Sequence, residues 1–437
     1  MPEVSKKITG LIEISPTTLE EIQKGIKNIS DLKEKIETIL KKNVTEILEV
    51  IMGGATTLDA SDIHIEPLEE KVKIRARLDG ILQDVLLIER NLYENLLSRI
   101  KLLSGIKLNI TDRPQDGRLS VKILDVSIEV RVSTLPAEYG ESIVLRILNP
   151  KSLMDLEVLG LRKDLLNLFK KEIKKPNGMI IVTGPTGSGK TTTLYAFLKK
   201  IQNPEIKIIT IEDPIEYHLK GVSQTQVAPE KGYDFANGLK SIVRQDPDVI
   251  LVGEIRDLET ASISLQAALT GHLVLTTLHT NDAAGTIARL QALGEKLVNI
   301  APAINITIAQ RLVKKVCKKC AKLEKPRPEE LKKMQQVFKK IPKEVKIPKI
   351  SEKIKIPRPF GCRDCNFTGY RGRVGIFEAF LVDDEMEKFI LSTPSIAALR
   401  EEAIKKGMVT MYQDGLIKVL EGIATLEEVE RVTGEEN

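Results

Sequence analysis

Met179-Ile-Ile-Val-Thr183, running straight into Gly184-Pro-Thr-Gly-Ser-Gly-Lys-Thr191, is the stretch that decides the fold of this 437-residue chain. A short apolar run of strand length leads into G-x-x-x-x-G-K-[ST], and helix-forming residues follow. The sequence therefore predicts strand, glycine loop and helix in succession. In that arrangement the glycines let backbone N–H groups turn inward onto phosphate oxygens, and the helix N-terminus adds its partial positive charge. Gly184, Pro185, Thr186, Gly187, Ser188, Gly189, Lys190, Thr191 and Thr192 are accordingly read as nucleotide-binding residues. Lys190 is expected to reach the β- and γ-phosphates, and the Thr191 hydroxyl to ligate magnesium.

Outward from the loop, helices and apolar strands alternate. Leu161–Ile173 reads as an amphipathic helix, and Ile206–Ile211, Asp248–Val252 and Leu273–Leu278 as strands with helices between them. Continuous apolar strands separated by helices imply a parallel sheet covered on both faces, so residues 158–312 are expected to form a doubly wound α/β domain. Ligands of such sheets bind beyond the carboxyl ends of the strands. Asp248-Val-Ile-Leu-Val-Gly-Glu254 delivers Glu254 to that edge as the candidate for orienting or activating an attacking water. Glu212 and Asp213, ending another strand beside Pro214, arrive at the same edge.

Upstream, residues 56–148 have a different texture. Short β-like runs at Ile63–Ile65, Val72–Leu78, Ile81–Leu87, Leu119–Leu124, Ser127–Val132 and Ile143–Leu148 are interrupted by a helical segment, Leu92–Leu103, and Asp79-Gly80 is a hairpin signal. A small α+β domain is predicted there. Residues 1–55 carry apolar positions at helical spacing (Leu32, Ile36, Ile39, Leu40, Ile47, Leu48) and read as a short helical segment. Asn149-Pro150 opens a linker or hinge over 149–157. Downstream, 313–380 holds all four cysteines, and 381–437 reads as a helical subdomain.

No apolar stretch approaches the roughly 20 residues of a membrane span, and the start of the chain does not read as a signal peptide, so a cytoplasmic location is expected. The net charge of +5 conceals an uneven distribution. Lys314 to Arg358 carries 17 basic and 5 acidic residues, a local +12 that leaves the remainder at −7. Such a run is either a solvated surface or an attractor of anions. Cys317-x-x-Cys320 and Cys362-x-x-Cys365 have the spacing of a tetrahedral Cys₄ zinc site with no open position, which favours a structural role.

The chain resembles the secretion-superfamily ATPases that drive type II secretion, type IV pilus assembly and related DNA uptake. The resemblance rests on Ala60-Ser-Asp-Ile-His-Ile-Glu-Pro67, Pro114-Gln-Asp-Gly-Arg118, Thr210-Ile-Glu-Asp-Pro-Ile-Glu216, Arg244-Gln-Asp-Pro-Asp-Val249, Gly253-Glu-Ile-Arg-Asp257 and Thr270-Gly-His-Leu-Val-Leu-Thr-Thr-Leu-His-Thr-Asn-Asp282, and spans about Ala60 to Val432. It implies a RecA-like P-loop domain preceded by a PAS-like α+β domain and followed by the tetracysteine and helical parts. It further implies that Glu212 and Glu216 form an acidic box, and that His272 and His279 belong to a histidine box beside the γ-phosphate. Arg131 and Arg146 match positions that face the nucleotide across a domain cleft in relatives. All of these, with Lys190 and Glu254, are implied catalytic residues.

ATP, Mg²⁺ and Zn²⁺ are the implied cofactors. The implied partners are five further copies in a homo-hexamer, an inner-membrane platform protein and the cytoplasmic domain of a membrane-anchoring component, with peripheral attachment to the inner membrane. The tetracysteine module is similar to that of secretion and pilus-extension motors. Departures from the pattern are Lys240 where arginine is common, a long lysine-rich loop between the cysteine pairs, a shorter Thr111-Asp-Arg113 lead-in, and only about 55 residues before Ser61-Asp62, where relatives often carry another docking domain. The rival reading is a nucleic-acid translocase or helicase. Aromatic residues at 4% and no tryptophan argue against a base-stacking platform, and no specific nucleic-acid partner is expected.

Overall fold

In the computed structural model, which describes residues 10–150, 153–342, 345, 347, 350 and 353–434, the chain divides into two units. The first unit comprises the residues up to Ser152 together with Cys317–Cys320 and Phe360–Arg371. The second comprises Leu153–Val316, Ala321–Pro359 and the chain from Gly372 onward. Of the proposed linker at 149–157, Lys151 and Ser152 lie outside the described residues, as do residues 1–9 of the N-terminal segment.

The first unit begins with β1 (Leu11–Glu13) and helices α1 (Pro16–Gly25), α2 (Ile29–Ile39) and α3 (Val44–Thr57). Ser15, Asn28 and Asn43 cap the three helices, accepting from the N–H groups of Thr18, Asp31 and Glu46. These are the residue types that satisfy orphan N-terminal donors. There follow β2 (Asp62–Pro67), β3 (Lys71–Leu78), β4 (Ile81–Glu89), α4 (Arg90–Ser104), β5 (Gln115–Ile123), β6 (Val126–Ala137) and β7 (Gly140–Leu148). They form a seven-stranded sheet in the order β1-β5-β6-β7-β2-β3-β4. Along β3, Val72, Ile74, Ala76 and Leu78 are buried while the residues between them are not, the alternation of a strand with one face in a core.

That core also takes Ile22, Leu32, Ile36, Ile47 and Ile51. The N-terminal helices therefore belong to the same hydrophobic core as the sheet and are not a separate segment. Helical periodicity revealed that they had apolar faces but not what those faces cover.

The second unit comprises α5 (Lys163–Glu172), β8 (Gly178–Thr183), α6 (Lys190–Ile201), β9 (Ile208–Glu212), β10 (Ser223–Gln226), α7 (Phe235–Val243), β11 (Val249–Val252), α8 (Leu258–Leu269), β12 (Leu273–Leu278), α9 (Gly285–Ala292), α10 (Leu297–Ala303) and β13 (Ile304–Val316). After these come β14 (Lys322–Glu324), α11 (Pro328–Phe338), β15 (Ile356–Arg358), β16 (Tyr370–Leu381), α12 (Asp384–Leu391), α13 (Ile396–Lys405), α14 (Met411–Leu420) and α15 (Leu426–Thr433). The main sheet runs β10-β9-β11-β12-β8-β13-β16, and the pairings from β10 through β13 are parallel. All six residues of β8 are buried. Met179 and Ile181 enter one apolar core and Ile180 and Val182 another, so the strand is covered on both faces, as its continuous apolar sequence requires.

The sheet extends beyond the limits expected from sequence. β13 runs past residue 312 and neighbours β16, so the tetracysteine segment interrupts the sheet between adjacent strands and does not follow a finished domain. Arg311, Lys314 and Lys315 in its second half hide the full length of β13 from an apolar-run reading. Nor are the C-terminal helices a separate subdomain, since Met386, Ile390, Leu416 and Val429 share a core with Ile181 and Val274.

The basic stretch is partly neutralised by the helices around it. Arg358 pairs with Glu330 and Glu427, and Lys333 with Glu430. Among the described residues no helix is long and apolar enough to cross a membrane.

Candidate active site

Parallel register brings the functional loops to one edge. Leu278 lies opposite Thr183, Val252 opposite Thr276, and Val252 also opposite Ile211. The chain therefore leaves β8, β9, β11 and β12 at the same carboxyl edge, carrying Gly184, Glu212, Glu254 and His279. Side-chain and backbone hydrogen bonds hold these loops together. Gly253 donates its N–H to Ile211 O at 2.8 Å, and the Thr277 hydroxyl donates to Gly253 O at 2.7 Å. The Thr183 hydroxyl donates to Leu278 O at 3.0 Å and accepts from the Thr280 N–H at 2.8 Å, tying the phosphate loop to the histidine loop.

Gly184, Gly187 and Gly189 all have positive φ, at 149°, 79° and 89°. A Cβ on Gly184 would stand 2.6 Å from both Gln310 O and Ser188 Oγ, so this position requires glycine for space as well as conformation. Pro185, Thr186 and Gly187 are exposed, whereas Gly184 and Ser188 are buried. Lys190 donates from Nζ to Gly184 O at 2.8 Å and Pro185 O at 3.1 Å. Burial pushes its pKa down to about 8, with Glu254 opposing the shift and Arg311 adding to it. Thr191 and Thr192 lie in the first turn of α6, Thr191 exposed and Thr192 half-buried.

The Glu254 carboxylate is largely buried, pairs with the Arg256 guanidinium, and lies 3.4 Å from His279 Nε2. Burial, reinforced by the charge of Lys190, holds the His279 pKa below its ordinary value, so the imidazole is neutral at pH 7. Glu212 is in a different situation. Its carboxylate is buried and accepts from Thr210 Oγ1 at 2.6 Å, Gln224 Nε2 at 3.2 Å and the Tyr195 hydroxyl of α6. Burial raises its pKa despite these donors. Glu216, half-buried in the loop after β9, is near enough for its charge to add to that rise.

His272 is not brought to the site. It precedes β12 at the amino edge of the sheet, where its O accepts from the Gly178 N–H and its Nδ1 lies 3.1 Å from Ala267 O. The six strand residues between it and His279 span roughly 20 Å at the usual rise. Both histidines lie within one long motif, and only the strand between them separates their roles.

A family model described as Type II/IV secretion system protein matches residues 37–431. The chain belongs to this family. It is 44% identical to the type II secretion system protein E of Pectobacterium carotovorum subsp. carotovorum over 396 residues, 90% of this chain and 76% of the relative. It is 40% identical to the type IV pilus assembly ATPase PilB of Thermus thermophilus over 428 residues, 97% of this chain and 47% of that one. Among solved structures, the ATPase DotB of Legionella pneumophila shares the fold, with a TM-score of 0.64 at 23% identity over 88% of this chain and 94% of that one. The pilus retraction motor PilT with bound ADP gives 0.59 at 27% identity, over 88% and 96% of the two chains. The chain is thus a secretion and pilus-type ATPase motor, and these relatives do not favour a nucleic-acid translocase.

In this secretion ATPase the implied phosphate-facing arginines belong to the first unit. Arg131 on β6 and Arg146 on β7 are direct cross-strand partners. Arg118 lies opposite Arg131, and Asp62 lies between Arg146 and Arg77, so a transverse row of four arginines and one aspartate crosses the sheet. Arg146 Nε donates to Asp62 Oδ1 at 3.0 Å.

The four cysteine sulfurs cluster within 4.8 Å of one another. Three of their separations are 3.8 to 3.9 Å, against an edge of about 3.8 Å for a tetrahedron with 2.3 Å zinc–sulfur bonds. The thiols therefore fit a four-coordinate ion.

Sequence reading missed Gln310 and Arg311. The signal was present: Ile304-Asn-Ile-Thr-Ile-Ala309 is a largely apolar strand ending in polar residues, the same pattern that identified Glu254. Gln310 Oε1 accepts from the Thr193 hydroxyl of α6 at 2.7 Å.

Proposed function

We propose that this ATPase powers assembly of a pseudopilus or pilus as a homo-hexameric ring. In this reading it is cytoplasmic and peripheral to the inner membrane through a platform protein and the cytoplasmic domain of a membrane-anchoring component. The observation that carries the reading is the convergence of the phosphate cradle, Glu254 and His279 on one sheet edge. The paired cysteines favour assembly over retraction, by the resemblance of this module to that of extension motors.

In hydrolysis, Lys190 exchanges its two loop carbonyls for the β- and γ-phosphates, and the cradle N–H groups hold the remaining oxygens. Glu254 orients the attacking water in line with the bond between the γ-phosphorus and the bridging oxygen, which breaks to give ADP and phosphate. Neutral His279 fixes the Glu254 carboxylate. Glu212 acts as a positioning residue, bracing α6 through Tyr195, and Glu216 supports it. Arg131 and Arg146 supply positive charge to the transferring phosphoryl group when the N-terminal domain closes, which couples chemistry to motion. Thr191, exposed beside Lys190, would hold magnesium, which would supply charge neutralisation at the phosphates. Cys317, Cys320, Cys362 and Cys365 would hold a structural zinc.

Light scattering of the purified chain with and without a nonhydrolysable ATP analogue tests the ring. A six-chain particle in the presence of analogue is expected, and a monomer under both conditions overturns it. Metal analysis is expected to return about one zinc per chain, the stoichiometry of a single Cys₄ site. A value near zero removes zinc from the account.

A further inference from the structure

Arg311 stands directly on the phosphate loop. β13 pairs in parallel with β8, with Ala309 opposite Thr183, so Gln310 and Arg311 continue alongside Gly184. Arg311 Nη1 is only 3.1 Å from the point a Cβ on Gly184 would occupy. Its hydrogen bonds go to main-chain carbonyls, Nη1 to Gln310 O at 3.1 Å and Nη2 to Asn281 O at 2.8 Å. Among the described residues no carboxylate pairs with it. The two carboxylates whose charge it feels are committed elsewhere, Glu378 to the N–H groups of Ala283 at 2.8 Å and Met411 at 3.1 Å, and Asp282 to the Gly285 N–H at 2.7 Å.

A half-buried guanidinium bonded only to neutral acceptors keeps most of its attraction for an anion. Here it also shares Gly184 with Lys190, whose Nζ bonds the Gly184 carbonyl at 2.8 Å, and its charge adds to the lowering of the lysine pKa. Two cations held together beside a glycine loop are relieved by a polyanion between them, and the substrate of this site is one. Asn281 adds a second connection, because it lies two residues after His279 in the loop fastened to Thr183.

We infer that Arg311 is a phosphate ligand for its own chain's nucleotide, contacting the terminal phosphate while its bond to Asn281 ties that phosphate to the His279 loop. The inference rests on the ATPase reading of the cradle. It makes Arg311 a cation that is in place before any domain closure, unlike Arg131 and Arg146 in the proposed mechanism. A purely structural arginine would hold the Asn281 carbonyl and be indifferent to which nucleotide is bound.

The test uses the full chain with Arg311→Gln and Arg311→Lys. Turnover is measured, and affinity is read with fluorescent ADP and a fluorescent nonhydrolysable ATP analogue. Arg311→Gln is expected to lower kcat and to weaken the analogue by about tenfold or more each, from lost charge-assisted bonds, with ADP changed less than about threefold. Arg311→Lys, lacking the planar fork, is expected to recover only part of the loss.

Wild-type turnover in Arg311→Gln, or equal loss of ADP and analogue, overturns the inference. If Arg311→Gln melts well below wild type, Arg311→Lys decides: selective loss of the analogue supports the inference, and wild-type discrimination overturns it. Lys190→Ala serves as the reference. Its failure to reduce turnover would strike the cradle reading itself, whereas wild-type behaviour of the Arg311 variants strikes this inference alone.

Discussion

The two ends of β12 carry one histidine each, and they differ in everything but residue type. His279 leaves the carboxyl end beside Glu254 and within the field of Lys190, with its imidazole held neutral. His272 enters at the amino end and turns its Nδ1 toward the carbonyl of Ala267. In a parallel sheet every strand end at one edge faces the ligand and every strand start faces away. Placement relative to strand direction, more than residue type or membership of a motif, therefore decides which histidine stands beside the phosphate loop. The same rule recovers Arg311 at the end of β13.

The largest effects are expected at the cradle. Lys190→Ala is expected to lower turnover by about a thousandfold or more through lost phosphate contacts, and Glu254→Gln by about a hundredfold with nucleotide affinity nearly unchanged. Steady-state hydrolysis alongside nucleotide titration distinguishes the two. A Glu254→Gln chain that turned over ATP normally would remove the carboxyl edge's candidate for orienting water. Removal of the Arg311 guanidinium is expected to cost less, about tenfold, and selectively for the terminal phosphate.

Much of this edge was legible because the rules that govern it are local. Gly184 to Thr191 after Met179–Thr183 spells strand, loop and helix, and Glu254 follows an apolar strand of four buried residues. What stayed hidden depends on partners distant in sequence. Ile47 and Ile51 show a helical stripe, but only tertiary packing reveals that it covers the same core as Ile63 and Val130. β10, Ser223-Gln-Thr-Gln226, is polar throughout and is recognisable as a strand only through its pairing with β9. β13 and β16 flank the cysteine segment in sequence yet are neighbours in the sheet, which spacing along the chain does not disclose. Glu212 arrived where the apolar-strand rule put it, but Tyr195, seventeen residues earlier on α6, claims its carboxylate.

If hydrolysis belongs to the carboxyl edge, the two histidines of β12 must respond differently to removal, with one strand as its own control. Steady-state ATP turnover is compared for His279→Ala and His272→Ala after confirming that both melt as the wild type does. The expected result is a loss of about tenfold or more for His279→Ala, whose imidazole fixes Glu254 in the proposed mechanism, and a change of less than about twofold for His272→Ala. Equal losses, or a larger loss at His272, would contradict it.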